Sequence, residues 1–149
     1  MNAATFKKGV TRILLDRGFR SQGKSLRRDQ PGVSVLVSFE KGFGNQWFMN
    51  AGFWLVALGE LTTDRVEQSH LYFRLERLLP ESREVILAAG ALDDTIQSQA
   101  YETLLRLLTE EADALLAALG TVEGLRDGMK ISRLTHGLIR KEAREYLEA

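Results

Sequence analysis

The run from Gln46 to Leu58 is apolar on both sides when it is read as a strand. Alternation places Trp47, Met49, Ala51, Phe53 and Leu55 on one face, and Phe48, Asn50, Gly52, Trp54 and Val56 on the other. A strand with water on one side alternates apolar with polar residues, so this run predicts a central strand covered on both sides. The face from Trp47 to Leu55 is expected to pack more deeply against helices. Asn50, if buried on the opposite face, needs partners, because an unsatisfied amide costs about 1–3 kcal/mol.

The flanking sequence supplies neighbours for that strand. Val33, Val35, Val37 and Phe39 alternate with Ser34, Ser38 and Glu40, which predicts a half-buried strand. Ser25 to Arg28 is a short polar strand candidate, joined to the next strand through the turn residues Asp29-Gln30-Pro31-Gly32. Lys41 to Asn45, with its glycines, reads as a second turn. His70 to Leu75 alternates as a fourth strand, although Arg74 to Leu79 also fits a helical register. Ahead of the sheet, Phe6, Val10, Ile13 and Leu14 recur at helical spacing, with Asn2 or Thr5 able to cap the start and Gly18 the end.

The C-terminal half reads as helical. Pro80 opens a short helix that Gly90 ends. Asp93 or Asp94 caps a long one with a buried stripe of Leu104, Leu105, Leu108, Ala112, Leu115 and Leu119. Its wet face carries Glu102, Arg106, Glu110 and Asp113, with Glu102 and Arg106 in the favourable order for a helical ion pair. Gly120 ends that helix and Thr121 caps the next. Beyond it, Leu125, Met129, Leu134, Leu138, Ala143 and Leu147 suggest one or two more helices. The expected architecture is α+β: an N-terminal helix, an antiparallel sheet of about four strands, and C-terminal helices packed on the sheet. No linker or repeat interrupts it, so residues 1–149 form a single domain.

Chemistry is constrained by what the chain lacks. It contains no cysteine, which removes disulfides, thiolate nucleophiles and thiolate metal sites and suits a reducing compartment. Its two histidines, His70 and His136, lie in different elements, and neither has a metal-ligand spacing. No nucleophile motif is present, and Gly42-Phe43-Gly44 fails the phosphate-loop pattern. The expectation is therefore no catalytic residues, no metal and no cofactor. The apolar runs are far shorter than the ~20 residues of a membrane helix, and Met1 to Lys8 holds no signal-peptide core, so a cytoplasmic protein is expected.

Charge is zero overall but uneven. Residues 1–28 carry eight lysines and arginines against Asp16 alone, whereas residues 60–123 carry thirteen carboxylates against five arginines, a net of −8. These charges either solvate the surface and pair across the fold, or present a face to a charged partner.

Several short stretches resemble the bacterial domain-of-unknown-function family 4304. They are Arg17-Gly18-Phe19, Gly23-Lys24-Ser25-Leu26-Arg27-Arg28, Val37-Ser38-Phe39-Glu40-Lys41, Phe48-Met49-Asn50-Ala51-Gly52, and His70 four residues before Arg74-Leu75. Leu115 to Leu125, around Gly120-Thr121, is similar to the family's helical tail. The resemblance covers most of residues 6–128, with Glu40 where the family has glutamine. It implies an antiparallel sheet packed with helices and no established activity. Small bacterial proteins of this kind are similar in character to immunity proteins that neutralise toxin domains.

Two functions fit. The first is a non-enzymatic binding protein, an immunity-type inhibitor of a basic toxin domain, with binding residues drawn from Glu40, Lys41, Asn50, His70 and Arg74 and from the acidic helix face Glu102, Glu110 and Asp113. His70 and Arg74 are expected to lie close together and near Glu40 or Lys41. The alternative is a nucleic-acid or nucleotide-binding protein, using the basic N-terminal region with Trp47, Phe48, Phe53 and Trp54 as a stacking platform.

Overall fold

A computed structural model describes all residues from Met1 to Ala149. The chain is an α+β fold that opens with helix α1 (Ala3–Asp16). Asn2 caps it by accepting from the Thr5 amide at 2.8 Å, and Phe6, Val10 and Leu14 form its buried stripe. Gly18, at φ 89°, turns the chain out of the helix, and the Phe19 amide closes the end on the Leu14 carbonyl at 3.0 Å.

Six strands then run in sequence order as an antiparallel meander. They are β1 (Arg20–Gln22), β2 (Ser25–Gln30), β3 (Val33–Lys41), β4 (Trp47–Leu55), β5 (Leu71–Arg74) and, much later, β6 (Leu138–Ile139). The two edge strands, β1 and β6, are additional to the four expected from alternation. The doubt over residues 70–79 is resolved by both readings in turn: β5 ends at Arg74 and a single turn, α2 (Leu75–Leu78), comes directly after it.

The remaining helices are α3 (Arg83–Gly90), α4 (Gln97–Thr109), α5 (Glu111–Leu119), α6 (Val122–Lys130) and α7 (Lys141–Glu148). The long helix expected from Asp93 to Leu119 is broken at Glu110, whose backbone (φ −120°, ψ −99°) is not helical. The break rotates α5 relative to α4. Leu107 and Leu116 join Leu104, Leu108, Ala112 and Leu119 in the core, while Leu105 and Leu115 are only half-buried. Asp94 makes a turn by accepting from the Ile96 amide at 3.2 Å, but it does not cap α4, and Arg106 turns to Thr103 instead of pairing with Glu102. Thr121 does cap α6, on the Gly124 amide at 2.9 Å. Leu138, expected on a helix, lies half-exposed in β6.

The core lies on one face of the sheet. Val33, Val35, Val37, Met49, Ala51, Phe53, Leu55, Leu71 and Phe73 share a single apolar cluster with the buried residues of the helices. The register pairs Val35 with Phe53 and Phe53 with Leu71, so these side chains point the same way. The opposite face is covered differently from the expectation. No α-helix packs there; the segment from Val56 to His70, with short 3-10 turns at Val56–Leu58 and Val66–Gln68, crosses it as a strap. Val66 and Leu36 are both fully buried yet stand outside the main cluster. Gly52 lets the strap sit close, because a Cβ there would collide with Ser69 and Val66. Arg140 fastens the strap from outside, donating to the carbonyls of Ser69 at 3.1 Å and Glu67 at 3.0 Å.

Glu76 on α2 is buried, its Oε2 has no partner, and burial raises its pKa above the ordinary 4.5. An acid whose folded pKa is raised holds its proton more tightly in the native state. Stability therefore falls as pH rises through the interval between the ordinary value of 4.5 and the folded one. Glu76→Gln should raise stability at pH 7 by about 1 kcal/mol, and the gain should vanish in acid. Urea unfolding of both proteins at pH 4 and pH 7 measures it. An equal effect at the two pH values would show that Glu76 is not a buried, charge-burdened acid.

Candidate functional site

The strap leaves part of the second face open. Between it and the sheet lies a cleft of about 420 Å³, lined by residues of β3, β4 and β5, by Lys24 before β2, and by Asp64 to Glu67 of the strap. Cross-strand register builds its floor: Ser38 stands opposite Asn50, and Asn50 opposite Arg74. Glu40 is one step diagonal from Asn50 on the same face. The result is a short polar chain, in which Asn50 Nδ2 donates to Glu40 Oε1 at 2.9 Å and Arg74 Nη2 lies 3.5 Å from Glu40 Oε2.

Asn50 is 5% exposed, and its Oδ1 has no hydrogen-bond partner. The bond from Nδ2 to a carboxylate settles which end of the amide is which, since an amide oxygen would repel Glu40. An acceptor is thus left unpaired and sealed from solvent beneath the cleft. Arg74 lies over the Phe48 ring, with its guanidinium carbon 3.8 Å from the centroid, which holds the guanidinium beside Glu40. Tyr72 completes the wall. Burial, and next the nearby Glu40 carboxylate, push its phenol above the ordinary value, so it carries its proton at neutral pH. Across the cleft Arg65 pairs with Glu67 at 3.1 Å, and Asp64 accepts from the Lys24 amide at 2.8 Å.

The structure thus brings together Glu40, Asn50 and Arg74 and leaves the other candidates apart. Lys41 projects from the other side of β3 and is exposed, without a partner. His70 sits ahead of β5, four residues and ~13 Å along the strand from Arg74. It is buried, stacks on Trp54 at 4.1 Å and accepts from the Leu55 amide through Nδ1 at 2.9 Å. That is a structural role, joining the strap to β4. Burial lowers its pKa; Glu142 opposes this and Arg140 adds to it. A histidine with a lowered folded pKa stabilises the fold fully above its ordinary value of 6.5, and this contribution is lost as pH falls below it. His70→Gln should therefore flatten the fall in stability between pH 7 and pH 5, as read by urea midpoints; an unchanged slope would remove His70 as its source.

The acidic helix face is not one surface. Glu102 and Glu110 are exposed, but Asp113 lies on α5 against the N-terminal arginines, with Arg28 Nη1 at 2.8 Å and Arg17 Nη1 at 3.8 Å. Arg20 and Arg27 are likewise taken by Asp29, at 3.1 and 2.6 Å. Half of the eight basic residues of the N-terminal region are thus engaged with carboxylates. Of the aromatic platform, Phe53 is core, Trp54 faces His70, and Trp47 lies under Lys7 at 4.0 Å.

A larger cavity, about 680 Å³, opens between α6, β6 and α7. Arg126 on its rim is already bound to the carbonyls of Tyr146 and Leu147, and no buried unpartnered polar atom lines it. The smaller cleft is the better candidate. No three histidine, aspartate or glutamate side chains gather as a metal-binding group, and no helix is long and apolar enough to cross a membrane. No family model matches the chain, and neither a curated protein nor a solved structure matches it. The geometry alone carries the functional reading.

Sequence reasoning missed Ser38, Asp64 and Tyr72. Ser38 and Tyr72 were visible as the polar alternates of apolar strands. Asp64 lies in an irregular strap, where no periodicity marks it.

Proposed function

We propose that the chain is a non-enzymatic binding protein that engages a protein partner through the open part of its sheet, in the cytoplasm, as an immunity-type inhibitor of a basic toxin domain. The observation that supports this reading is a preformed polar cleft on the open part of the sheet, where a half-exposed Glu40 carboxylate stands between Asn50 and Arg74. The frame around it suits recognition: three hydrogen-bonded strands hold Ser38, Asn50 and Tyr72, and Phe48 fixes Arg74. Exposed Glu102 and Glu110, away from the cleft, favour approach of a basic partner.

The test is co-expression with the product of the gene beside it. The expected result is a complex that stays together through gel filtration and protects cells from that product's toxicity. If neither occurs, while the purified chain binds nucleic acid with a steep salt dependence, the nucleic-acid alternative replaces this reading.

A further inference from the structure

Resting on the reading of the chain as a partner-binding protein, we infer that the tip of the β3–β4 hairpin is a second contact of that complex. Phe43 is its anchor, and it enters an apolar pocket with a basic rim on the partner protein. Phe43 is 100% exposed, the most exposed of the chain's large apolar side chains. A ring held wholly in water gains only when another molecule buries it. The tip that carries it is tied in place. The Gly42 amide donates to the Gln46 carbonyl at 2.8 Å, and the Gln46 amide to the Phe43 carbonyl at 3.2 Å. Gly44, at φ 60°, closes the turn. The loop between α3 and α4 braces it: the Leu92 amide donates to the Asn45 carbonyl at 3.2 Å, and Asn45 Nδ2 donates to Asp93 Oδ1 at 3.1 Å. The ring thus projects from a preorganised backbone, and a partner that takes it loses little to ordering the loop.

Its surroundings indicate the partner. Ile96 and Met1, 56% and 42% exposed, belong to the same end of the molecule: Ile96 is on the bracing loop, and the Met1 amine donates to the Leu92 carbonyl at 3.4 Å. Exposed apolar side chains gathered in this way mark an interaction surface more than a lone one does. The hollow beside Phe43 is lined by Asn45, Gln46, Ala91, Asp93 and Asp94, so its only charges are two carboxylates, both exposed. Lys41 and the Met1 amine stand outside it. Carboxylates beside the anchor repel an anionic bilayer and attract a basic protein surface. The tip also continues the cleft: a Cβ on Gly42 would collide with the Phe48 ring, over which Arg74 lies beside Glu40. One partner can therefore cover cleft and tip together.

The experiment measures the affinity of the parent protein, of Phe43→Ser, and of the double variant Asp93→Asn with Asp94→Asn for the purified product of the gene beside it. Phe43→Ser should leave the urea midpoint unchanged, because water surrounds the ring in the free protein, and should weaken the complex about tenfold or more. The double variant should slow association several-fold at low salt and little at high salt. If Phe43→Ser binds as tightly as the parent, the inference is overturned and the reading of the cleft stands. If the parent forms no complex, both fall together. An unaltered association rate in the double variant contradicts the basic rim. Phe43-dependent sedimentation with phosphatidylglycerol vesicles, or a dimer that Phe43→Ser dissolves, gives the tip a different occupant and also overturns the inference.

Discussion

Phe53→Ala should destabilise the protein by about 3–5 kcal/mol, a large share of the 5–15 kcal/mol that holds a domain of ordinary size together. Phe53 is fully buried at the middle of β4 and meets Phe73 of β5 edge to face, with ring centroids 6.2 Å apart. Its neighbours on the same face, Val35 and Leu71, are fixed by backbone pairing and cannot close the hole. The cost then comprises lost transfer free energy, the cavity, and the aromatic pair. Trp54→Ala, one residue along on the strap side, provides the comparison. Trp54 is partly exposed, and its Nε1 bond to the Gly59 carbonyl at 2.9 Å lies at the surface, so its removal should cost clearly less. Urea unfolding of both variants gives the two values. Equal costs would mean that the helices do not all pack on one face of the sheet.

The second large effect concerns charge. Asp113→Ala should cost about 2–3 kcal/mol, whereas Glu102→Ala and Glu110→Ala should each fall within about 0.5 kcal/mol of the parent. Arg28 lies over the Phe19 ring at 4.5 Å, and its side chain is only 13% exposed. Its Nε and Nη2 already lack partners. The Asp113 carboxylate, together with the Arg17 carbonyl at 2.9 Å, is what holds that cation in place. Removing the carboxylate leaves a largely buried charge poorly compensated, which is far more costly than losing an exposed one. Thermal melts at low and moderate salt distinguish the cases: the Asp113 effect should persist with salt, because the pair is shielded from the solvent.

These two residues show how far the sequence could be read. Alternation in Val33 to Phe39 and in Trp47 to Leu55 is a strong signal, because a shift of one residue would turn every large side chain to the wrong face. The deeper face of β4 was legible for that reason, as were the Asn2 and Thr121 caps. β1 and β6 were not: they have three and two residues, too few for a period to show. The break at Glu110 involves neither glycine nor proline, so no local preference announces it. In the cleft, Glu40, Asn50 and Arg74 were accessible through shared parity. His70 has the same spacing logic as Arg74 but lies at the other end of the strand, and parity alone says nothing of distance along it. Asp113 was misread as free surface because sequence shows charge, not the arginine packed opposite.

The most direct test of the binding face is a map of backbone amide shifts in the protein on adding the partner encoded beside it. Binding through the cleft should move the signals of residues 38–40, 48–50, 64–67 and 72–74 while leaving Glu102 and Glu110 near their free positions. Shifts confined to the exposed side of α4 and α5, with the cleft residues unmoved, would contradict it and make the acidic helix surface the site of recognition.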